Sequence, residues 1–339
     1  SIHMIILGIE TSCDETSAAV VEDGNRVLSN IVASQQDLHS RFGGVVPEIA
    51  CRAHTDTIIT VIDKAVAETD LKMSDIDAIS VANTPGLIGA LLIGLTAAKT
   101  LSWILRKPLI TVNHLHAHIY ASKIEYEDID YPAISLVVSG GHTSLFLTHS
   151  ETNYESVGGT IDDAAGEAFD KVGKILGLGY PAGPEIDSIS QKGNEKAIPF
   201  PRSYLKKGSL DFSFSGIKTA VLYHCMGQDS SNTSEIPKLT DQEIADIAAS
   251  FQEAVVDVLV DKTIFAATKF SSKSIILGGG VACNSRLRQK LTVAAKRHNI
   301  PLFYPSKKLC MDNAAMVAGL AFHKYEEKNF SSLEVEAMP

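Results

Sequence analysis

The chain is poor in cysteine: five in 339 residues, with no Cys-x-x-Cys pair. That excludes a disulfide-built scaffold and a thiolate zinc site, and it points to a reducing compartment, most simply the cytoplasm. There is no apolar run of the roughly 18 residues that a membrane span needs. The longest such stretch, Gly86 to Ala98, carries three glycines and reads as a buried helix whose glycines allow close packing. The chain has no GxxxxGK[ST] and no GxGxxG opening a helix, so a P-loop or Rossmann site is excluded. Positive charge is also short, with 30 Lys and Arg against 40 Asp and Glu, a net charge of −10. A surface basic all over, built to coat nucleic acid, is therefore excluded, though a local patch is not. Two local groups are candidates: Arg202, Lys206 and Lys207 in one loop, and Arg286, Arg288, Lys290, Lys296 and Arg297 along one helix, which reads better as a solvated face. No targeting peptide is expected, because the first apolar segment, Ile5 to Ile9, is short and runs into acidic residues. Ser1-Ile2-His3 read as a remnant ahead of a native Met4.

What is present is ordinary globular material, 45% hydrophobic and 21% charged, enough for about two domains. Ile5 to Ile9 predicts a strand, Thr16 to Glu22 its hairpin partner, and Arg26 to Val32 a third strand. A helix follows Pro47 with Ile49, Ala53, Ile58, Ile62 and Val66 inward; then come strand Ile76 to Val81, helix Gly86 to Leu105 and strand Pro108 to Val112. The order then restarts. Ala133 to Val138 and Thr143 to Thr148 pair as strands, with Tyr154 to Val157 a third, and a helical insertion covers Asp162 to Lys269. That insertion holds a loop, Pro199 to Asp211, and a polar linker, Gln228 to Ser234. Strand Ser274 to Leu277, helix Ser285 to His298, strand Leu302 to Tyr304 and helix Asp312 to Tyr325 complete the second set. Two sets in one order predict a duplicated α/β fold with a cleft between its lobes. The expected lobes are residues 4–113 and 114–328, the second carrying the insertion at about 162–269, and 329–339 are expected to fray.

Three turns at strand ends carry glycine or hydroxyls: Gly8 to Thr16, Ser139-Gly140-Gly141-His142-Thr143, and Gly278 to Asn284. Glycine lets backbone amides approach an anion, and hydroxyls add donors, so together they suggest a split nucleotide site. In the first turn Thr11, Ser12, Asp14 and Glu15 are candidate phosphate or acyl contacts. Asn113-His114-Leu115-His116-Ala117-His118 opens a helix, which puts His114 and His118 on one face and turns His116 roughly 200° from His114. A cation gripped by the pair needs an oxygen ligand from elsewhere, which we assign to Asp312. The competing reading is two histidines satisfied by backbone at a strand–helix junction.

Gly8-Ile-Glu-Thr-Ser-Cys-Asp-Glu-Thr16, Asn113-His-x-x-x-His118, Val138-Ser-Gly-Gly-His142, Ile161-Asp-Asp-Ala-Ala-Gly-Glu-Ala-Phe-Asp170, Phe212-Ser-Phe-Ser-Gly216, Gly278-Gly-Gly-Val-x-x-Asn284 and Asp312-Asn-Ala-Ala-Met316 occur in order. Together they resemble the tRNA threonylcarbamoyladenosine synthases, the tRNA N(6)-adenosine threonylcarbamoyltransferase family formerly described as glycoproteases. The likeness runs from Ile5 to about Lys324. It implies the duplicated actin/Hsp70/sugar-kinase fold and transfer of threonylcarbamoyl from its mixed anhydride with AMP. The acceptor would be the N(6) amine of the adenosine just 3′ of the anticodon, in tRNAs reading codons that begin with A. It implies that His114, His118 and Asp312 hold one divalent metal, iron first and zinc second. Val137, Val138, Ser139, Gly140 and Gly141 would lie along the nucleotide and acyl group, with Gly140 and Gly141 amides stabilising developing charge. Asp170, Gly183, Asp187 and Asn284 would contact ribose and adenine. Plainer readings stand beside these: Asp162 and Asp163 as helix caps, Asp170 as one charge on an acidic face with Asp163 and Glu167, and Asn284 as the cap of the helix it begins. Val137 and His142 stand where archaeal and eukaryotic cytosolic members carry Tyr and Asn, which is the bacterial or mitochondrial pattern, and with no transit peptide expected the bacterial type is chosen. Implied partners are tRNA, a paralogous pseudo-enzyme of the same fold and a small P-loop ATPase, with Pro47 to Glu68 and Gly86 to Leu105 as the docking helices.

A metalloprotease is excluded, because the general base of HExxH would stand at Leu115. A kinase or ATPase of the same fold remains an alternative, with Asp14 or Glu15 as its base, and so does a non-catalytic nucleotide-dependent scaffold. Cys13 has nothing basic beside it in sequence and reads as packing.

Overall fold

The computed structural model describes residues 3–227 and 238–339, so the expected linker Gln228 to Ser234 lies outside the described residues. The chain divides into two compact units: residues 1–129, 149–154 and 304–339, and residues 130–148 and 155–303. The expected division at 113/114 differs from this, because the helix after His114 and the C-terminal helix both pack on the first sheet.

In the first unit, strands β1 (Ile5–Glu10), β2 (Glu15–Glu22) and β3 (Arg26–Ser34) form a meander, followed by the short helix α1 (Gln36–Ser40) and the long α2 (Pro47–Ala67). Then come β4 (Ala78–Thr84), α3 (Ile88–Leu105), β5 (Leu109–Asn113) and α4 (His114–Glu125). The sheet order is β3-β2-β1-β4-β5, with β1 and β2 antiparallel and β1, β4 and β5 parallel. Alternation along β1 decides what each face meets. Ile5, Leu7 and Ile9 face α2 and α3, while Ile6 faces α4 and the C-terminal helix.

The second unit repeats the pattern with β6 (Ala133–Val138), β7 (Thr143–Thr148) and β8 (Tyr154–Gly159). Among the described residues four helices follow, α5 (Ala165–Ile175), α6 (Gly183–Ser190), α7 (Ser215–Met226) and α8 (Asp241–Lys269), then β9 (Ser274–Gly278), α9 (Ser285–Arg297) and β10 (Leu302–Phe303). Its order, β10-β9-β6-β7-β8, has β6 and β7 antiparallel and β9 parallel to β6, as β4 is to β1. The duplicated α/β topology expected from the sequence is thus present. Helices α10 (Lys307–Cys310) and α11 (Ala314–Glu326) belong to the first unit, and α11 lies along its sheet.

Several expectations change in detail. The inner stripe of α2 is Ala50, His54, Ile58, Val61, Ile62, Ala65 and Val66: Ile58, Ile62 and Val66 face inward as expected, but in the first turns Ala50 and His54 do so in place of Ile49 and Ala53, which are only half-buried. Helix α3 is not wholly buried: Ala90, Leu91, Leu95 and Ala98 pack inward, while Leu92, Trp103 and Ile104 are exposed. Among the described residues α3 is the one helix long and apolar enough to cross a membrane by length and composition. The tail does not fray. The amide of Ser331 donates to the Leu109 carbonyl at 2.8 Å, that of Met338 to Asn83 at 2.9 Å, and Val335 and Ala337 pack on the core. The reason is that β5 is an edge strand, whose unpaired backbone groups the tail satisfies.

Each basic group is partly neutralised by partners within the protein. Arg202 donates to Asp257 at 2.8 Å, Arg286 to Glu253 at 2.7 Å, Arg288 to the Ala282 carbonyl at 2.6 Å, and Lys290 pairs with both Glu253 and Asp257. Lys206, Lys207, Lys296 and Arg297 remain exposed.

Gly8 is expected to admit an anion; its actual neighbour is α11. A Cβ there would stand 2.4 Å from the Ala314 carbonyl oxygen and 2.9 Å from Ala318. Gly8→Val should therefore displace α11 and cost on the order of 1–3 kcal/mol, a fall of several degrees in the thermal midpoint. A midpoint equal to the wild type would refute this packing.

Candidate active site

In the first unit, Asn113 ends β5 and its side chain accepts from the amides of Leu115 and His116, so α4 begins at His114. His114 and His118 then share one face, with ring centroids 4.6 Å apart. Asn313 caps α11 in the same manner, accepting from Met316, and this sets Asp312 at the helix entrance. Asp312 Oδ1 lies 2.9 Å from His118 Nε2 and 3.4 Å from His114 Nε2. Two neutral-capable imidazoles and a carboxylate thus converge within 4.8 Å, a donor set that fits a divalent cation of the zinc or iron kind. His118 Nδ1 is buried with no hydrogen-bond partner, so the bonding of that ring is incomplete within the protein. His116 points elsewhere and stacks on Tyr154.

The backbone-satisfied reading of the histidines does not hold, because His114 Nδ1 is 2.8 Å from Glu10 Oε2 and 3.2 Å from Ser12 Oγ. Glu10 is wholly buried and also accepts from the Ser12 amide at 2.6 Å. Sequence reasoning missed it as a site residue, although one carboxylate ending an otherwise apolar strand is a signal. A carboxylate behind a ligating imidazole fixes its tautomer and raises its basicity. Burial would push His114 down, but Glu10 and Asp312 on either side hold it well above the ordinary imidazole range. Burial, then the neighbouring His114, pushes His118 down. Burial would raise Asp312, yet the two imidazoles hold it far below the usual carboxylate range.

Asp14 and Glu15 come within 4.8 Å of Asp312, and burial followed by Asp312 and Asp14 pushes Glu15 well up. The hydroxyls of Thr11 and Ser12 are engaged within the protein. Thr11 Oγ1 donates to Ala90 O at 2.7 Å and accepts from the Gly94 amide, which bolts the turn to α3. Ser12 is buried, with its amide on Glu10 and its hydroxyl on His114. Burial, then Asp14, Asp312 and Glu15, pushes the Cys13 thiol well up, so it is not a poised nucleophile.

In the second unit, Gly140 and Gly141 are exposed in the β6–β7 turn, and a Cβ on either would meet open space. Ser139 closes the turn, its amide donating to His142 O at 2.8 Å. Val137 and Val138 are strand interior with side chains wholly buried, so only their backbone is placed to line a ligand. Gly279 has φ +92°, and a Cβ there would collide with Val138 O at 2.3 Å, so the third turn lies directly against the end of β6. Asp170 accepts from the Ala182 amide at 2.9 Å, just before Gly183 opens α6, and does more than add charge to an acidic face. Asp187 accepts from the Ser285 amide at 2.9 Å and hydroxyl at 2.7 Å. Asn284 caps α9 through Leu287 at 2.9 Å and donates to Gln252 at 2.7 Å, so the capping reading holds. These bonds link Asp170, Gly183, Asp187 and Asn284 through α6 and α9. Asp162 and Asp163 do not cap their own helix. Asp162 accepts from the amides of Phe214 and Ser215 at the start of α7, and Asp163 binds Lys171.

A family model described as TsaD, tRNA N6-adenosine threonylcarbamoyltransferase, matches residues 26–319. A tRNA N6-adenosine threonylcarbamoyltransferase of Moorella thermoacetica is 51% identical, covering 98% of this chain and 96% of its own. The protein of that name from Syntrophomonas wolfei is 50% identical, covering 99% and 96%. Among solved structures, HypF of T. kodakarensis superposes with a TM-score of 0.64 at 16% identity, over 96% of this chain and 48% of that one. The ROK hexokinase of Thermus thermophilus gives 0.51 at 14% identity, over 96% and 99%. At such identities the two structures speak for the fold alone, the actin/Hsp70/sugar-kinase type. Half-identity along almost the whole of both sequences is a different order of likeness, and by it the chain belongs to the TsaD family of tRNA N6-adenosine threonylcarbamoyltransferases.

Proposed function

We propose that the chain transfers the threonylcarbamoyl group from threonylcarbamoyl-AMP to the N(6) amine of the adenosine immediately 3′ of the anticodon, in tRNAs reading codons that begin with A. The observation that carries this reading is the half-identity with transferases so named. The buried cluster of His114, His118 and Asp312 supports it against a kinase or ATPase, which takes Mg²⁺ on carboxylates and phosphates rather than on imidazole. It also favours an enzyme over a nucleotide-dependent scaffold.

The adenine amine is a weak nucleophile, its lone pair delocalised into the ring, so the electrophile must be activated. His114, His118 and Asp312 would hold one divalent ion, Fe²⁺ before Zn²⁺, which supplies Lewis acidity toward the acyl oxygen. Glu10 holds His114 in the tautomer that presents Nε2. The exposed amides of Gly140 and Gly141 donate to the charge that develops on the phosphate as the bond from acyl carbon to phosphate oxygen breaks. As the new N–C bond forms, the amine gives up one proton, which the Asp14–Glu15 pair, lying beside Asp312, would take. Asp187 keeps lone pairs for ribose hydroxyls beyond its bonds to Ser285, and Asn284, Asp170 and Gly183 complete the nucleoside contact. No serine or cysteine nucleophile is required.

The chain works in the cytoplasm and not alone. With a net charge of −10, unaided capture of tRNA is poor, so a paralogue of the same fold and a small P-loop ATPase assist. The outer faces of α2 and α3, with Ile59 and Trp103 each 71% exposed, offer the paralogue an apolar surface.

Incubation with tRNA, threonylcarbamoyl-AMP and the two partner proteins, followed by mass analysis of nucleosides, should show threonylcarbamoyladenosine. Steady ATP hydrolysis without that product would overturn the reading, and full multiple turnover by this chain alone would overturn the partner requirement. In the same assay His114→Ala and Asp312→Ala should lose nearly all activity while still binding AMP. Cys13→Ser should keep most of it, and a stable acyl group on Cys13 would contradict the mechanism. Glu10→Gln has one acceptor where two are needed, so metal affinity should fall roughly 10–100-fold; unchanged affinity in a metal titration would remove Glu10 from the site.

A further inference from the structure

The turn between β1 and β2 carries Ser12, which touches His114, and leads into Asp14 and Glu15, which stand beside Asp312. Three successive carbonyls fix that turn, each held from a different element. Ser12 O accepts from the Leu87 amide at 2.9 Å at the entrance to α3, and Asp14 O accepts from the Gln35 amide at 3.0 Å after β3. Between them, Cys13 O accepts from Nε2 of His54 at 2.7 Å. Of these three bonds only the one to Cys13 is made by a side chain.

His54 lies on the inner face of α2 and is wholly buried. Because a carbonyl only accepts, Nε2 carries the proton, and Nδ1 is left to accept from Thr16 Oγ1, 2.8 Å away on β2. Both ring nitrogens are therefore committed, one to the turn and one to the strand that follows it. Burial, the largest influence, pushes the imidazole below its ordinary range, in keeping with a neutral ring.

We propose that His54 is a positioning residue of the transfer site: through the Cys13 carbonyl it sets the turn that supports His114 and aims Asp14 and Glu15 at Asp312. The inference rests on the transferase reading for its meaning, but its test does not depend on turnover. It separates the two nitrogens. In His54→Gln the amide nitrogen stands as many bonds from the backbone as Nε2, so the donor to Cys13 is kept and the acceptor for Thr16 is lost. In His54→Asn the amide oxygen replaces Nδ1 instead, and the donor to Cys13 is lost. His54→Leu loses both.

The full chain and these three variants are titrated with Zn²⁺ against a chromogenic chelator, alongside thermal melts of each. The expected result is near-wild-type Zn²⁺ affinity in His54→Gln and affinity weaker by about tenfold in His54→Asn and His54→Leu, in line with supporting-residue effects. The d–d absorption of bound Co²⁺ should change in those same two. Equal affinity in all four proteins, or affinity that follows the melting midpoint rather than the donor to Cys13, overturns the proposal. Nucleoside analysis of the wild type with tRNA and threonylcarbamoyl-AMP is run beside it. Absence of modified adenosine there overturns the transferase reading while the Zn²⁺ comparison still decides the role of His54.

Discussion

Two imidazoles and two carboxylates, His114, His118, Glu10 and Asp312, lie buried or nearly so within hydrogen-bonding reach of one another, and the first unit is arranged around keeping them there. Ionised groups out of water are costly unless each finds a partner, and removing one leaves the others uncompensated. The four enter from three elements, Glu10 from the end of β1, the histidines from the first two turns of α4, and Asp312 from the entrance to α11. Two asparagines adjacent to the cluster, Asn113 and Asn313, start the two helices at the required residues. The absence of a side chain on Gly8 lets α11 come close enough for Asp312 to arrive. Local capping and one close approach thus fix a long-range geometry.

The second unit solves a different problem with the same topology. Its turns at the ends of β6 and β9 are drawn together by Gly279, whose backbone conformation and contact with Val138 leave no room for a side chain. Exposed glycines at 140 and 141 leave backbone amides as the chemistry available, which suits a bound anion. The helical insertion, with α8 buried along much of its length, supplies Gln252 to Asn284, and α6 supplies Asp187 to Ser285. Side chains that the family resemblance assigns to nucleoside binding therefore also hold the helix starts in place.

Much of this was legible in the sequence, for physical reasons. Strands buried on both faces read as apolar runs, and the repeated order of elements announced the duplication. The spacing of His114 and His118 is local, so helical periodicity alone put them on one face. What escaped reading were contacts between residues far apart in the chain. Nothing in the sequence around Thr11 says that Ala90 and Gly94 occupy its hydroxyl, or that Asp162 caps a helix some fifty residues on, a separation of 52 to Phe214. Glu10 and His54 escaped for the same reason, their partners being 104 and 41 residues distant. The tail, polar and short, gave no sign that it would cover the edge of β5.

The central claim, that one divalent cation is held by these three side chains, is tested most directly by anomalous scattering from crystals of the purified protein at the iron and zinc edges. The account predicts a single strong peak at coordination distance, roughly 2.0–2.2 Å, from Nε2 of both His114 and His118 and from a carboxylate oxygen of Asp312. A peak held instead by Asp14 and Glu15 without the histidines, or no peak in protein whose elemental analysis shows stoichiometric metal, would contradict it.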